Sequence, residues 1–117
     1  MAKLTVLSYQ CEEISEDLGS IVLKEVELSD PGPGEVRVRL KACAVNFPDL
    51  LMIQGKYQFK PPLPFAPGSE AAGDIEACGP ECDFKEGDKV IVSMRCGGFS
   101  EGVVVDQSCL LYTSDAA

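Results

Sequence analysis

Histidine is absent from this 117-residue chain, and so is tryptophan. Imidazole is the side chain that titrates near neutral pH, the usual base behind a serine or cysteine nucleophile, and the commonest ligand of catalytic zinc. None of these three chemistries is open to this chain through histidine. Basic residues are scarce as well. Ten Lys and Arg stand against nineteen Asp and Glu, a net charge of -9. Nucleic acids and anionic membrane surfaces both need a positive footprint, so the balance argues against either as a partner. No apolar run approaches the roughly 18 residues of a membrane span. The start also lacks the apolar core and small-residue cleavage site of a secretory signal, so a cytoplasmic location is the expectation.

Cysteine is present but not patterned. The six, at positions 11, 43, 78, 82, 96 and 109, are irregularly spaced and too dilute for a secreted disulfide scaffold. Free, mostly buried thiols are expected. Cys78 and Cys82, in Cys-Gly-Pro-Glu-Cys, supply two sulfurs but no second pair at matching distance, so no metal is assigned there.

An apolar fraction of 45% and a charged fraction of 25% fit a soluble globular protein, and the length fits one domain. Short β-like runs alternate with turn signals, as in a compact sandwich or barrel. Strands are expected at 3–9, 20–28, 35–42, 71–77, 89–94 and 99–105. The third is the clearest: Glu35, Arg37, Arg39 and Lys41 alternate with Val36, Val38, Leu40 and Ala42, a half-buried strand. One short helix is expected, with Asn46 as N-cap, Pro48 in the first turn, Asp49 at the positive end of the dipole and Gly55 after the last turn. The proline-rich loop 60–68 fits neither helix nor central strand. The sum is a mainly β fold, an irregular, partly open β-barrel with one short helix. Residues 109–117 show no periodicity, cap or evident partner, and resemble the translation of a transposase-type sequencing adapter. That implies a domain at 1–108 and a non-native tail.

No Gly-rich phosphate loop is visible. Gly97-Gly98 and Gly32-Pro33-Gly34 fall short of the dinucleotide fingerprint and lack its strand–turn–helix setting. Read alone, the residues stop at a soluble β domain. Five blocks in order carry more: Pro33-Gly34-Glu35-Val36-Arg37-Val38, Ala44-Val45-Asn46-Phe47-Pro48-Asp49, Pro67-Gly68-Ser69-Glu70-Ala71-Ala72-Gly73, Gly87-Asp88-Lys89-Val90 and Gly97-Gly98-Phe99-Ser100-Glu101. Together they resemble the GroES-like N-terminal domain of the medium-chain dehydrogenase/reductase superfamily. Zinc alcohol dehydrogenases place a cysteine ligand in the second block and a histidine ligand in the third, where this chain has Asn46 and Ser69. Neutral amide and hydroxyl groups cannot replace thiolate and imidazole around zinc. The pattern resembles the zinc-free quinone oxidoreductases.

That resemblance implies NADPH-dependent reduction of a quinone or an α,β-unsaturated carbonyl (an enone), with no metal, in a full-length protein that is a homodimer. The cofactor would be held mainly by a nucleotide-binding domain that this chain lacks, so the chain alone would be inactive. Without a metal, hydrogen bonds must polarise the substrate oxygen. The resemblance makes Asn46 the active-site amide facing cofactor and substrate, and Tyr57 a cleft-lining phenol able to donate a hydrogen bond. Asp49 would be a helix-terminus residue first and a cofactor-site residue second, and Glu70 a local support. The alternative is a stand-alone GroES-like binding module without catalysis.

Overall fold

The computed structural model describes residues 4–112. Seven strands and one α-helix follow in the order β1 (Leu4–Cys11), β2 (Ile21–Leu28), β3 (Glu35–Cys43), α1 (Phe47–Ile53), β4 (Glu70–Cys78), β5 (Lys89–Ser93), β6 (Gly102–Asp106) and β7 (Leu110–Tyr112), with a 3-10 turn at Gln107–Cys109 before β7. β1 and β2 form a two-stranded antiparallel ribbon. The other five form one sheet in the order β6-β3-β4-β5-β7, every pairing antiparallel. The fold is therefore mainly β with a single helix, and its sheets are open rather than closed into a barrel.

β3 obeys its alternation for most of its length. Val36 and Val38 are fully buried and pack with Ile75, Val90, Val92, Val103 and Leu110 in the larger core cluster. Arg37 points outward and pairs with Glu76 at 2.9 Å. The pattern breaks at the end. A register irregularity against β4 lies between Leu40 and Ala42, and Ala42, expected inside, is exposed. An extra residue in one strand shifts every later side chain to the other face.

The expected strand at 99–105 is two pieces. Residues 99–101 leave the sheet to pair with β1: Tyr9 N–H donates to the Phe99 carbonyl (2.8 Å), and Glu101 N–H to the Leu7 carbonyl (2.9 Å). Only then does β6 run along β3. A second tie joins Cys11 and Phe65, whose backbones exchange both hydrogen bonds. Around it Cys11, Met52, Ile53 and Phe65 form the smaller core cluster.

Residues 110–112, within the segment expected to be a tail, form a short strand. Leu110, Leu111 and Tyr112 pair with Val92, Ile91 and Val90 of β5, Leu110 is buried in the larger core, and the Tyr112 ring lies 4.7 Å from that of Phe84. The first residue of the expected opening strand and positions 113–117 lie outside the described residues.

Candidate functional site

α1 forms where its start signals stand. Asn46 takes extended N-cap geometry (φ -121°, ψ 159°), Pro48 occupies the first turn, and the helix stops after seven residues, with Gly55 at φ 72° just beyond. Only glycine adopts that left-handed conformation without penalty, so it ends the helix cleanly.

Asp49 fixes the helix in place. Its side chain is 1% exposed. One carboxylate oxygen accepts the Asn46 backbone N–H at 2.8 Å, and the other accepts the Gly68 N–H at 3.1 Å. Burying a carboxylate is costly unless donors compensate it, and two backbone amides do so here. Gly68 in turn sits against residues 97–99. Gly98 N–H donates to its carbonyl at 3.0 Å, and Phe99 N–H donates to the Pro67 carbonyl at 2.9 Å. At φ +104° a Cβ on Gly68 would come within 2.9 Å of the Cys43 sulfur and 2.7 Å of the Phe99 ring. The second, third and fifth sequence blocks thus meet at one point. The first and fourth do not: they shape the turns that feed β3 and β5.

Asn46 caps this junction. Its side-chain amide nitrogen donates to Glu70 at 2.8 Å, and the Glu70 carbonyl accepts the Ala44 N–H at 2.9 Å. Glu70 therefore holds both the segment before the helix and the orientation of the Asn46 amide. Two largely apolar cavities share Phe99 at this junction, and Asn46 itself lines neither. One, of about 340 Å³, lies between Leu7, Tyr9 and Leu23 of the ribbon and Leu40, Cys43 and Phe99. The other, of about 380 Å³, is lined by Leu18, Ile21, Val45, Leu50, Ile53 and Phe99, with Asp49 in its wall. Phe99 divides them. Val45 (79% exposed) and Phe47 (69%) stand open to solvent next to Asn46. Adjacent exposed apolar groups of this kind mark ligand or interface surfaces.

The sequence-derived candidates do not all converge. Tyr57 lies beyond the far end of α1, about 10 Å of helix from Asn46. There it packs, half-buried, against the cluster of Cys11, Met52, Ile53 and Phe65. Asp49 takes the helix-terminus role, with both oxygens turned to backbone amides. Phe99 and Cys43, which sequence reasoning did not assign to the site, line it. Phe99 stands in the fifth sequence block, and Cys43 closes the best-defined strand, but nothing in their spacing points to a cavity. The Cys43 thiol is pushed up from its ordinary value by burial, then by the charges of Asp49 and Glu70. It is therefore neutral at physiological pH and lines the wall as an apolar group.

The fit of a metal and of the implied nicotinamide cofactor can be tested against these residues. Among the described residues, no three His, Cys, Asp or Glu side chains stand close enough together to hold a metal. A dinucleotide's pyrophosphate needs a Gly-rich turn at a helix N-terminus. The start of α1 instead has the Asp49 carboxylate in its first turn and the Glu70 carboxylate of β4 bonded to Asn46, two groups that would repel it. This chain's residues by themselves do not fit that group.

Residues 32–115 match the family model described as the alcohol dehydrogenase GroES-like domain. The chain is 40% identical over 101 residues to quinone oxidoreductase-like protein 2 of Mus musculus, covering 86% of this chain and 28% of the relative. To the synaptic vesicle membrane protein VAT-1 homolog of Homo sapiens it is 49% identical over 76 residues, covering 64% of this chain and 19% of the relative. The solved quinone oxidoreductase of Pseudomonas syringae pv. Tomato DC3000 superposes with a TM-score of 0.87 at 32% identity, over 96% of this chain and 34% of that one. The chain thus spans less than a third of the curated relatives' length. Matched by the family model over most of its length and by relatives of the same kind, it belongs to the alcohol dehydrogenase GroES-like domain family of the medium-chain dehydrogenase/reductase oxidoreductases.

Proposed function

We propose that this chain forms the substrate-side half of a zinc-independent, NAD(P)H-dependent oxidoreductase that reduces quinones or α,β-unsaturated carbonyls. The observation that carries the reading is the Asn46 amide, oriented by Glu70 at 2.8 Å, together with two cavities that share Phe99, one of them walled by Val45 and Asp49 on either side of Asn46 in the chain. A flat, conjugated, uncharged carbonyl compound suits walls of Leu, Tyr, Val and Phe. Such a compound needs one polar group to orient its oxygen. The Asn46 amide keeps a second N–H beyond the one given to Glu70, and that N–H is available to a substrate carbonyl. Amide donors of this kind stabilise charge developing on oxygen without a metal.

In this reading the nicotinamide cofactor supplies the hydride and is bound by a nucleotide-binding domain supplied outside this chain. The chain's own residues bind and orient the substrate and exclude water. The resemblance and the 40% identity to a quinone oxidoreductase-like protein support the reaction class. The Asn46 and Ser69 positions support chemistry without zinc.

The test is direct. The chain is titrated with a soluble naphthoquinone and followed by amide NMR. Saturable shifts centred on residues 43–47 and 97–101, lost in Phe99→Ala, are the expected result. The reading fails if the quinone perturbs no residue of either cavity. It fails equally if the chain joined to its nucleotide-binding domain oxidises neither NADH nor NADPH with any quinone or enone.

A further inference from the structure

Three of the six cysteines, Cys78, Cys82 and Cys109, pack partly buried against the larger core cluster. From two of them we infer a site of reversible thiol–disulfide exchange. Cys78 and Cys82 form a dithiol that small-molecule disulfides of the glutathione type convert to an intramolecular disulfide.

The backbone brings the pair together. β4 ends at Cys78, and the chain reverses through Gly79, Pro80 and Glu81, with Glu81 at φ 62°. Proline at the second position and a positive φ at the third are the signature of a type II turn over residues 79–82, which draws Cys82 back to Gly79, the neighbour of Cys78. Four hydrogen bonds hold the reversal. Gly79 N–H donates to the Glu35 carbonyl (2.8 Å), and Gly34 N–H to the Pro80 carbonyl (2.7 Å). The Gln107 amide donates to the Glu81 carbonyl (3.2 Å) and accepts the Asp83 N–H (2.9 Å). The Cys78 thiol donates to the Phe84 carbonyl at 3.4 Å, and Cys82, the electrostatic neighbour of that thiol, packs with it against the larger core cluster. The other cysteines are placed differently. Cys11 and Cys96 belong to the smaller cluster, and Cys43 lines the first cavity.

The order of events follows from the surroundings. Burial, the Cys82 thiol and the carboxylates of Glu86 and Asp88 push the Cys78 thiol up to about 11. Cys78 is therefore the poorer first nucleophile. The Cys82 thiolate attacks one sulfur of the small disulfide, forming a mixed disulfide and expelling one thiolate, which takes up the proton Cys82 lost. The Cys78 thiolate then attacks the Cys82 sulfur, and the second small thiol leaves. Two electrons pass from the dithiol to the small disulfide, one protein S–S bond forms, and two small thiols are released. The turn keeps Cys78 at high effective concentration for this second step.

The experiment uses the whole chain in glutathione–glutathione disulfide buffers, quenched in acid, alkylated and digested with trypsin. Cleavage after Lys56 and Lys85 gives a peptide whose only cysteines are Cys78 and Cys82. The expected product is that peptide lighter by two hydrogen atoms, with the other four cysteines alkylated. The equilibrium constant for its formation is expected to be about tenfold or more larger in the folded chain than in urea. Cys78→Ser should stop at a stable mixed disulfide on Cys82. The inference is overturned if both thiols stay alkylatable in the most oxidising buffer. Preferred pairing of either cysteine with Cys109, or an equilibrium constant no larger folded than unfolded, overturns it equally.

Discussion

Asp49 and Gly68, nineteen residues apart, are joined by a buried hydrogen bond in which a side-chain carboxylate accepts a backbone amide at 3.1 Å. The bond connects the helix that presents Asn46 to the loop that supports Phe99, so the junction between the two cavities rests on it. Asp49→Ala strands one buried and one part-buried backbone donor and is expected to lower stability by about 3 kcal/mol. A urea titration should show a lower midpoint with an unchanged slope. A loss below about 0.5 kcal/mol would mean the junction is held by other bonds.

Gly68→Ala should be worse tolerated than its size suggests. The φ of +104° resists any side chain, and the added methyl would press on Cys43, Phe99 and the Gly98 backbone. A loss of about 2–4 kcal/mol is expected, visible as a lowered melting temperature. Truncating Phe99 or Cys43 in the same variant should recover only part of it, because the backbone strain remains.

Asn46 has two roles that separate by measurement. As a half-exposed cap its replacement by Ala should cost about 1 kcal/mol of stability. As the oriented amide of the proposed reaction, in the chain joined to its nucleotide-binding domain, it should cost on the order of 10²-fold in kcat. Unchanged kcat with a lowered melting temperature would remove Asn46 from the chemistry.

Stability should fall at alkaline pH. The Cys78 thiol has its folded-state value raised from 9.0 to about 11, chiefly by burial. A raised value means the fold favours the protonated thiol. That contribution is fully present below pH 9 and is lost as pH rises through about 11, because the unfolded chain ionises first. Cys43 and Cys96 are shifted in the same direction by burial. Urea midpoints measured from pH 8 to 11 should decline, and Cys78→Ser should flatten the decline.

Leu110→Ala tests how far the domain extends. Leu110 is 6% exposed and packs in the larger core. Its truncation should cost about 3 kcal/mol. A neutral result would mean that β7 is dispensable and that the domain ends before it, as the sequence suggests.

Legibility followed the kind of signal. β3 could be read because charge and apolarity alternate along it, and α1 because Asn46, Pro48 and Gly55 each constrain the backbone for a separate physical reason. The break at Ala42 could not be read, since a bulge leaves no mark in composition. Nor could the division at Phe99–Glu101: a seven-residue run of mixed character does not say which of two strands each part will pair with. β7 was missed because three residues are too few for periodicity and its partner lies some twenty residues back. At the site, motif resemblance pointed to Asn46, and its hydrogen bond to Glu70 is a finding of the structure. Tyr57, which the resemblance made a cleft-lining phenol, packs beyond the far end of α1 against the smaller core cluster.

The ribbon of β1 and β2 has a consequence for exchange with solvent. β1 is tied to the body at Leu7, Tyr9 and Cys11, whereas β2 has β1 as its one strand partner and leaves Val22 and Leu23 exposed. The amide protons of β2 should therefore exchange through a local opening that costs less than global unfolding. That opening carries Leu23 away from the first cavity. A compound that occupies the cavity must raise the cost of opening in step with its own occupancy. Slowed deuterium uptake in β2 thus becomes a gauge of what the cavity holds, readable without turnover and without knowing the ligand's identity.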